Sequence, residues 1–310
     1  MNDLNIRKKL EVSERDKYDP LNSKQTFPAI HIRLHCCHYW LIMQWECSNL
    51  ASPFWRLYYN TSGEASIMYD GVITALNGTQ VLLIPPNTAF STRLTGEYEN
   101  SSQEIHVRKK ITNITVLKEL KNSQASDHLF IHFNLGLPYD LLEPGIYKFQ
   151  VKEREKQLLD QIRKYCIAGN DTFNFTTCAA INGLILFMLD QIPPNYWEIP
   201  KMDKRVADAL TLIEQGLDKR LTNNMFADNA NMTANSFARI FKESTGFSIH
   251  QYIKKKRVDK AVILLHHTNV SIEIISQECG FSDRHHLSRV FKEIRGTTPS
   301  LYKRHVGFIC

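Results

Sequence analysis

The chain has 310 residues, 43% hydrophobic and 23% charged. That is the composition of a folded protein with apolar material for two cores, and it excludes a disordered chain, a collagen-like fibre and a coiled-coil rod. The net charge of +6 is uneven: residues 201–310 hold 18 Lys/Arg against 11 Asp/Glu, a net of +7, whereas residues 1–200 hold 20 against 21. A basic third joined to a neutral remainder points to a polyanion-binding module attached to something else.

Residues 1–27 show no period and are read as an arm. From His31 to Phe133 short β-branched and aromatic runs alternate with turn residues. Strands are expected at Phe54–Tyr59, Ala65–Tyr69, Val72–Leu76, Gln80–Ile84 and His128–Phe133. Between them lie Thr61-Ser62-Gly63, Asp70-Gly71, Asn77-Gly78 and Pro85-Pro86-Asn87. Asp-Gly and Asn-Gly between such runs are hairpin signals, because type I′ turns need positive φ at both central residues. Many short strands at this spacing predict an antiparallel sandwich or barrel.

After Pro144-Gly145 the period becomes helical. Glu153–Ala168 carries a stripe of Leu158, Leu159, Ile162 and Tyr165-Cys166, and Thr176–Gln191 carries Ala179, Ala180, Leu184, Phe187 and Met188. The prolines at 193, 194 and 200 then break any helix. The expected domains are a barrel with its helical appendage over 28–192, a linker over 193–202, and an all-helical region over 203–310. The fold class is α+β multidomain. The run Leu184–Leu189 is far short of the ~20 apolar residues of a membrane span. The charged start, Met1–Asp16, lacks a signal-peptide core. The protein is expected in the cytoplasm, with no membrane partner. Seven scattered cysteines contain no C-x-x-C pair, so neither a disulfide framework nor a structural metal site is expected.

The last third contains a repeat. Phe237-Ala238-Arg239-Ile240-Phe241-Lys242-Glu243 lies fifty positions before Leu287-Ser288-Arg289-Val290-Phe291-Lys292-Glu293, and the same offset relates Gly246 to Gly296 and Tyr252 to Tyr302. Before each block sits a short helix and turn, Phe226–Thr233 and Ile275–Ser282. Each unit reads as helix-turn-helix. The first helix ends at Asn231 or Gly280, the residue types most tolerant of left-handed backbone. Thr233 or Ser282 is placed to cap the second helix. Phe237, Ile240 and Phe241, or Leu287, Val290 and Phe291, form its buried side. Asn235, Ser236 and Arg239, or Arg284, His285, His286 and Arg289, lie on the exposed side, where they suit base edges in a major groove. Lys242 and Lys292 suit phosphates, as do Lys254-Lys255-Lys256-Arg257 on the long helix expected over Ser248–His267.

Residues 203–306 resemble the AraC/XylS transcription regulators. The resemblance rests on Arg257-Val258-Asp259-Lys260-Ala261 with Leu264-Leu265, and on Ile275 with Gly280-Phe281-Ser282. It continues through Arg289-Val290-Phe291-Lys292, Gly296, Pro299 and Tyr302. The departures are small, Lys303 standing where Arg usually follows the Tyr and Phe226 where Leu is usual. The resemblance implies two helix-turn-helix units reading successive major grooves of double-stranded DNA. It also implies a homodimer through the helical pair, RNA polymerase as a partner, and a transcriptional activator answering to a small effector, sugars being the commonest class. Phe54–Arg93 is similar to the small cupin-like barrel of such regulators, in Gly63, the Asp70-Gly71 hairpin and Leu83-Ile84-Pro85-Pro86-Asn87. Phe90 stands where that barrel often has His, which speaks against metal-cupin chemistry.

His35-Cys36-Cys37-His38 invites a metal, but neighbours on a strand point to opposite faces, so the four cannot converge. His128, Phe130 and His132 share one strand face, with the histidines about 13 Å apart, too far to hold one ion. With Trp55, Phe90 and Thr92 they are the candidate effector-binding residues of a metal-free pocket, and no cofactor is expected. No catalytic triad, Walker loop or paired carboxylate stands out, so an enzyme is not expected. Two rivals remain: a front half controlled by a protein partner, and a cupin enzyme fused to a DNA-binding domain.

Overall fold

The computed structural model describes residues 30–62, 64–94, 105–111, 125–169, 172–197 and 202–306. The arm over 1–27, Gly63 and linker positions 198–201 lie outside the described residues. From Ile32 onward the chain packs as one compact unit. Its first half is antiparallel β-sheet. The strands are β1 (Arg33–Leu50), β2 (Trp55–Tyr59), β3 (Ser66–Tyr69), β4 (Val72–Ala75), β5 (Gln80–Ile84), β6 (Phe90–Arg93), β7 (Ile105–Lys110), β8 (Ser126–Asn134) and β9 (Tyr147–Gln150). They order as β4-β3-β6-β1-β8-β2-β5-β9, with β7 also paired to β1, and curl into a half-barrel.

Asp70-Gly71 forms the expected hairpin, with φ of 49° and 74° between the Tyr69↔Val72 pair. Asn77-Gly78 does not. β4 pairs with β3 while β5 pairs with β2 and β9, so this turn is a corner where the chain leaves one side of the curl for the other. β6, β7 and β9 fall outside the expected strands, and β1 extends well beyond the stretch His35–His38 read as strand. β7 (Ile-His-Val-Arg-Lys-Lys) is too charged and β6 and β9 too short for the hydrophobic pattern to mark them.

One face of β8, with His128, Phe130 and His132, lines the inside of the curl against Trp45, Tyr58 and Phe90. β1 follows the same alternation. His38 and Trp40 turn inward onto Phe130, whereas Cys37 and Tyr39 face α1 (Glu153–Ile167). Asp127 fixes that helix. Its wholly buried carboxylate accepts from Tyr39 Oη (2.7 Å), from the backbone N–H of Thr61 and Ser62 (3.0 and 2.8 Å) and from both their hydroxyls. Arg163 of α1 closes the set as a partly buried ion pair at 3.6 Å. Such a burial is tolerable only because so many lone pairs are satisfied.

α2 (Phe175–Asp190) packs along α1, burying Ala180, Ile181, Leu184, Ile185 and Met188. A short 3-10 turn at Pro194–Trp197 follows. The rest is helical: α3 (Lys204–Gln215), α4 (Asn223–Asn229), α5 (Ala234–Thr245), α6 (Ile249–His267), α7 (Ile272–Glu278), α8 (Arg284–Arg295) and α9 (Pro299–Val306). Among the described residues no helix is long and apolar enough to cross a membrane.

Candidate nucleic-acid interface

Two small cores carry the helical half. In the first, Phe226 of α4 packs on Phe237 of α5, which meets Phe241, which meets Tyr252 of α6, with ring centroids 5.6 to 6.3 Å apart. In the second, Ile275 of α7 and Leu287, Val290 and Phe291 of α8 close on Val258, Val262 and Leu265 of α6. Phe291 meets Tyr302 of α9 at 5.4 Å. The phenylalanines at 241 and 291 are wholly buried; removing either ring would cost about 3–5 kcal/mol.

The turns follow from the residues that form them. α4 ends before Asn231 at φ 50°, and α7 before Gly280 at φ 72°. Thr233 caps α5, its Oγ1 accepting from Ser236 N at 3.3 Å. The second cap is Asp283 and not Ser282. Its carboxylate accepts from the N–H groups of both His285 and His286 at 2.8 Å. Those bonds, the one to His286 foremost, hold its carboxyl below the usual carboxylate range. Asp outranks Ser here because it can serve two orphan donors at the positive end of the helix.

On α5 the side chains of Asn235, Arg239 and Lys242 are exposed; on α8 those of Arg284, His285, Arg289 and Lys292 are exposed. Two candidate readers are engaged within the chain. The Ser236 hydroxyl accepts from Thr233 Oγ1 at 2.9 Å. His286 is half-buried, edge-on to Phe281 at 5.3 Å and bonded through Nδ1 to Ser282 Oγ at 3.2 Å. The exposed set is two polar, cationic strips, one on each second helix.

The cations of α6 are spent inside the protein. Lys254 pairs with Glu293 of α8 (2.7 Å), Lys255 with Asp259 (3.1 Å) and Lys256 with Glu214 of α3 (2.6 Å). Asp259 also holds Arg295 of α8 at 3.0 Å. Arg257 donates to the carbonyls of Leu217 and Lys219 at 2.9 and 2.7 Å. Burial disfavours the charge of Lys256, yet Glu214, Tyr252 and Asp259 outweigh it and raise its pKa. These bonds brace α6 against both units. Only Lys255–Asp259, at i,i+4, was visible locally; Glu214 and Glu293 lie far away in sequence.

The candidate effector residues divide. His128, Phe130, His132, Phe90 and Thr92 are all buried in the same interior. His128 Nδ1 bonds Asn60 Oδ1 at 2.7 Å, and burial lowers its pKa to about 3. Trp55 is on the other face of the sheet, stacked on Phe133 at 6.0 Å and donating to Asp140. Strand parity places it there: Trp55 pairs with Phe133, whereas Tyr58 pairs with Phe130 on the inner face. An open cleft of about 600 Å³ lies beside that interior, between β1, α2 and the end of α6. Leu34 to Trp40, Cys166, Phe173, Cys178, Leu265 to Asn269 and Lys303 line it. There His266 bonds Tyr302 Oη (2.8 Å), Phe54 meets His266 and His267 edge-on at 5.1 and 5.0 Å, and His35 stacks on His267 at 5.3 Å. The half-barrel thus touches the helix that joins the two helix-turn-helix units.

Two capped helix-turn-helix units thus stand in tandem, each offering a cationic second helix. The family model for the helix-turn-helix domain matches residues 226–305. The transcriptional activator RhaR of Escherichia coli strain K12 is 34% identical over 118 residues, which are 38% of this chain and 40% of that protein. The chain thus spans less than half the length of the curated relatives it matches. Among solved structures, the C-terminal domain of the response regulator AraT from Geobacillus stearothermophilus is 28% identical. It covers 34% of this chain and 87% of that one, with a TM-score of 0.33. ToxT from Vibrio cholerae covers 88% of this chain and 98% of that one at 12% identity and a TM-score of 0.49. The C-terminal region is thus similar to helix-turn-helix domains of transcriptional activators.

Proposed function

We propose that the protein is a sequence-specific transcriptional regulator that binds double-stranded DNA through α5 and α8 and responds to a small molecule. The observation that carries this reading is the repetition of an exposed arginine, Arg239 and Arg289, on matched second helices whose buried faces are also matched. Arg in a major groove pairs bidentately with guanine, the commonest specific base contact. The division into a sensor over 28–192, a linker over 193–202 and a reader over 203–310 goes with this reading.

The effector seat is the cleft and not the packed interior, because the cleft is open and its wall includes the end of α6. A ligand there, in the sugar class suggested by the family resemblance, would meet His38, Trp40, Asn269 and Lys303 and bias the helix on which both reading units are braced. The protein would act as a homodimer in the cytoplasm, with RNA polymerase as its transcriptional partner. The dimer surface would lie on the exposed side of α2, where Phe175 is 96% and Leu186 43% exposed. Leu159 and Ile162 of α1, which the sequence pattern also offers, are wholly buried within one chain. Selection of bound fragments from random DNA should recover one sequence in two adjacent parts, and Trp40→Ala should remove the response to an effector without removing the binding. Recovery of no preferred sequence would refute the reading.

A further inference from the structure

Three groups at or just beneath the floor of the cleft come from three separate elements. Cys36 of β1 and His132 of β8 are direct cross-strand partners and so share a face. His267, the last residue of α6, comes down over the same point. One donor atom from each lies within 4.8 Å of the other two. The register of β1 against β8 shifts between Leu34 and Cys36, a bulge that breaks the strict alternation. His35 and Cys36 therefore both approach His267, against the strict alternation of a regular strand.

We propose that Cys36, His132 and His267 hold one transition-metal cation of borderline softness, zinc being the probe, at the junction of the half-barrel with the DNA-binding region. One thiolate and two imidazoles are a zinc-type donor set, and three protein ligands leave a fourth position for water or an added donor. That position faces the cleft, since Cys36 and His267 both line it while His132 is buried beneath. As the metal–sulfur bond forms, the Cys36 thiol releases its proton to solvent. Arg56, the cross-strand neighbour of His132, is wholly buried. Its positive charge disfavours a bare dication and favours one neutralised in part by thiolate. The bound metal would fasten the end of α6 to the sheet, so its binding free energy would stabilise the contact between the two halves.

The test uses the full chain, reduced and stripped of metal, titrated with Co²⁺ and then Zn²⁺. One equivalent of Co²⁺ should give a thiolate-to-cobalt charge-transfer absorption that Zn²⁺ abolishes, and saturating Zn²⁺ should raise the melting temperature. Cys36→Ser should lose the absorption, and His267→Gln, at a half-exposed position, should weaken binding at least tenfold. The wild-type spectrum alone overturns the proposal if it lacks a thiolate band. A band that survives Cys36→Ser, or affinity unchanged in His267→Gln, places the metal elsewhere and overturns it equally. None of these readouts involves DNA, so the metal site and the regulatory reading stand or fall separately.

Discussion

Gly280→Ala should damage the second helix-turn-helix unit far more than the same change at Gly296, although both glycines sit in the same backbone region, at φ 72° and 73°. The left-handed conformation costs an alanine roughly 1–2 kcal/mol at either site. At Gly296 nothing lies within 4 Å of the added Cβ, so that strain is the whole cost. At Gly280 the Cβ would stand 2.3 Å from the Leu217 carbonyl oxygen and 2.8 Å from Arg257 Nη2. Relief means moving the 217–219 segment away from α7, which breaks the bonds from Arg257 to Leu217 and Lys219. Each is a charge-assisted bond of about 1.5–3 kcal/mol. The expected loss at Gly280 is therefore about 4–8 kcal/mol, against about 1–2 kcal/mol at Gly296. Urea unfolding of the full chain, followed by far-ultraviolet circular dichroism, measures both. A Gly280→Ala loss within about 1 kcal/mol of the Gly296→Ala loss would refute the packing of this turn against the first unit.

The salt dependence of DNA binding should separate contacting cations from bracing ones: Lys242→Ala and Lys292→Ala should each flatten the slope of log K against log[salt] by about 0.9, while Lys254→Ala, already paired with Glu293, should leave it unchanged; titrations at several salt concentrations decide. His128 stays neutral in the folded state down to about pH 3, below the ordinary 6.5, so the unfolded chain binds the extra proton. Stability should thus fall by about 1.4 kcal/mol per pH unit on acidification from 6.5 towards 3, and His128→Gln should remove that increment from a series of denaturation curves, equal slopes showing the contrary. Glu at both Phe175 and Leu186 should give monomers in sedimentation that keep a half-operator and lose affinity for the full one, whereas Leu159→Glu should unfold the chain.

The helical half was legible because its signals are local. A fifty-residue offset, aromatic residues at helical spacing and turn residues at fixed positions mark both units, and only the cap at Asp283 was misplaced by one residue. The sheet was legible where β-branched and aromatic runs are bounded by turn residues, as at β5, and illegible where charge or shortness hides the pattern, as at β7 and β9. What sequence could not give was the pairing of distant charges. Lys254 to Arg257 look like a phosphate-binding run, and only the fold shows Glu214, Glu293 and two carbonyls consuming it. The convergence of Cys36, His132 and His267 was hidden for a similar reason. It depends on a bulge and on the docking of α6, neither of which leaves a local mark.

The reading of DNA by two units on one chain is tested most directly by footprinting the selected operator with wild type, Arg239→Ala and Arg289→Ala. One protomer should protect two major-groove segments about 10 base pairs apart, one helical turn. Arg239→Ala should lose selectivity in one segment only and Arg289→Ala in the other, each at a cost of about 1–3 kcal/mol. A single short protected segment per protomer, or both variants losing the same segment, would contradict it.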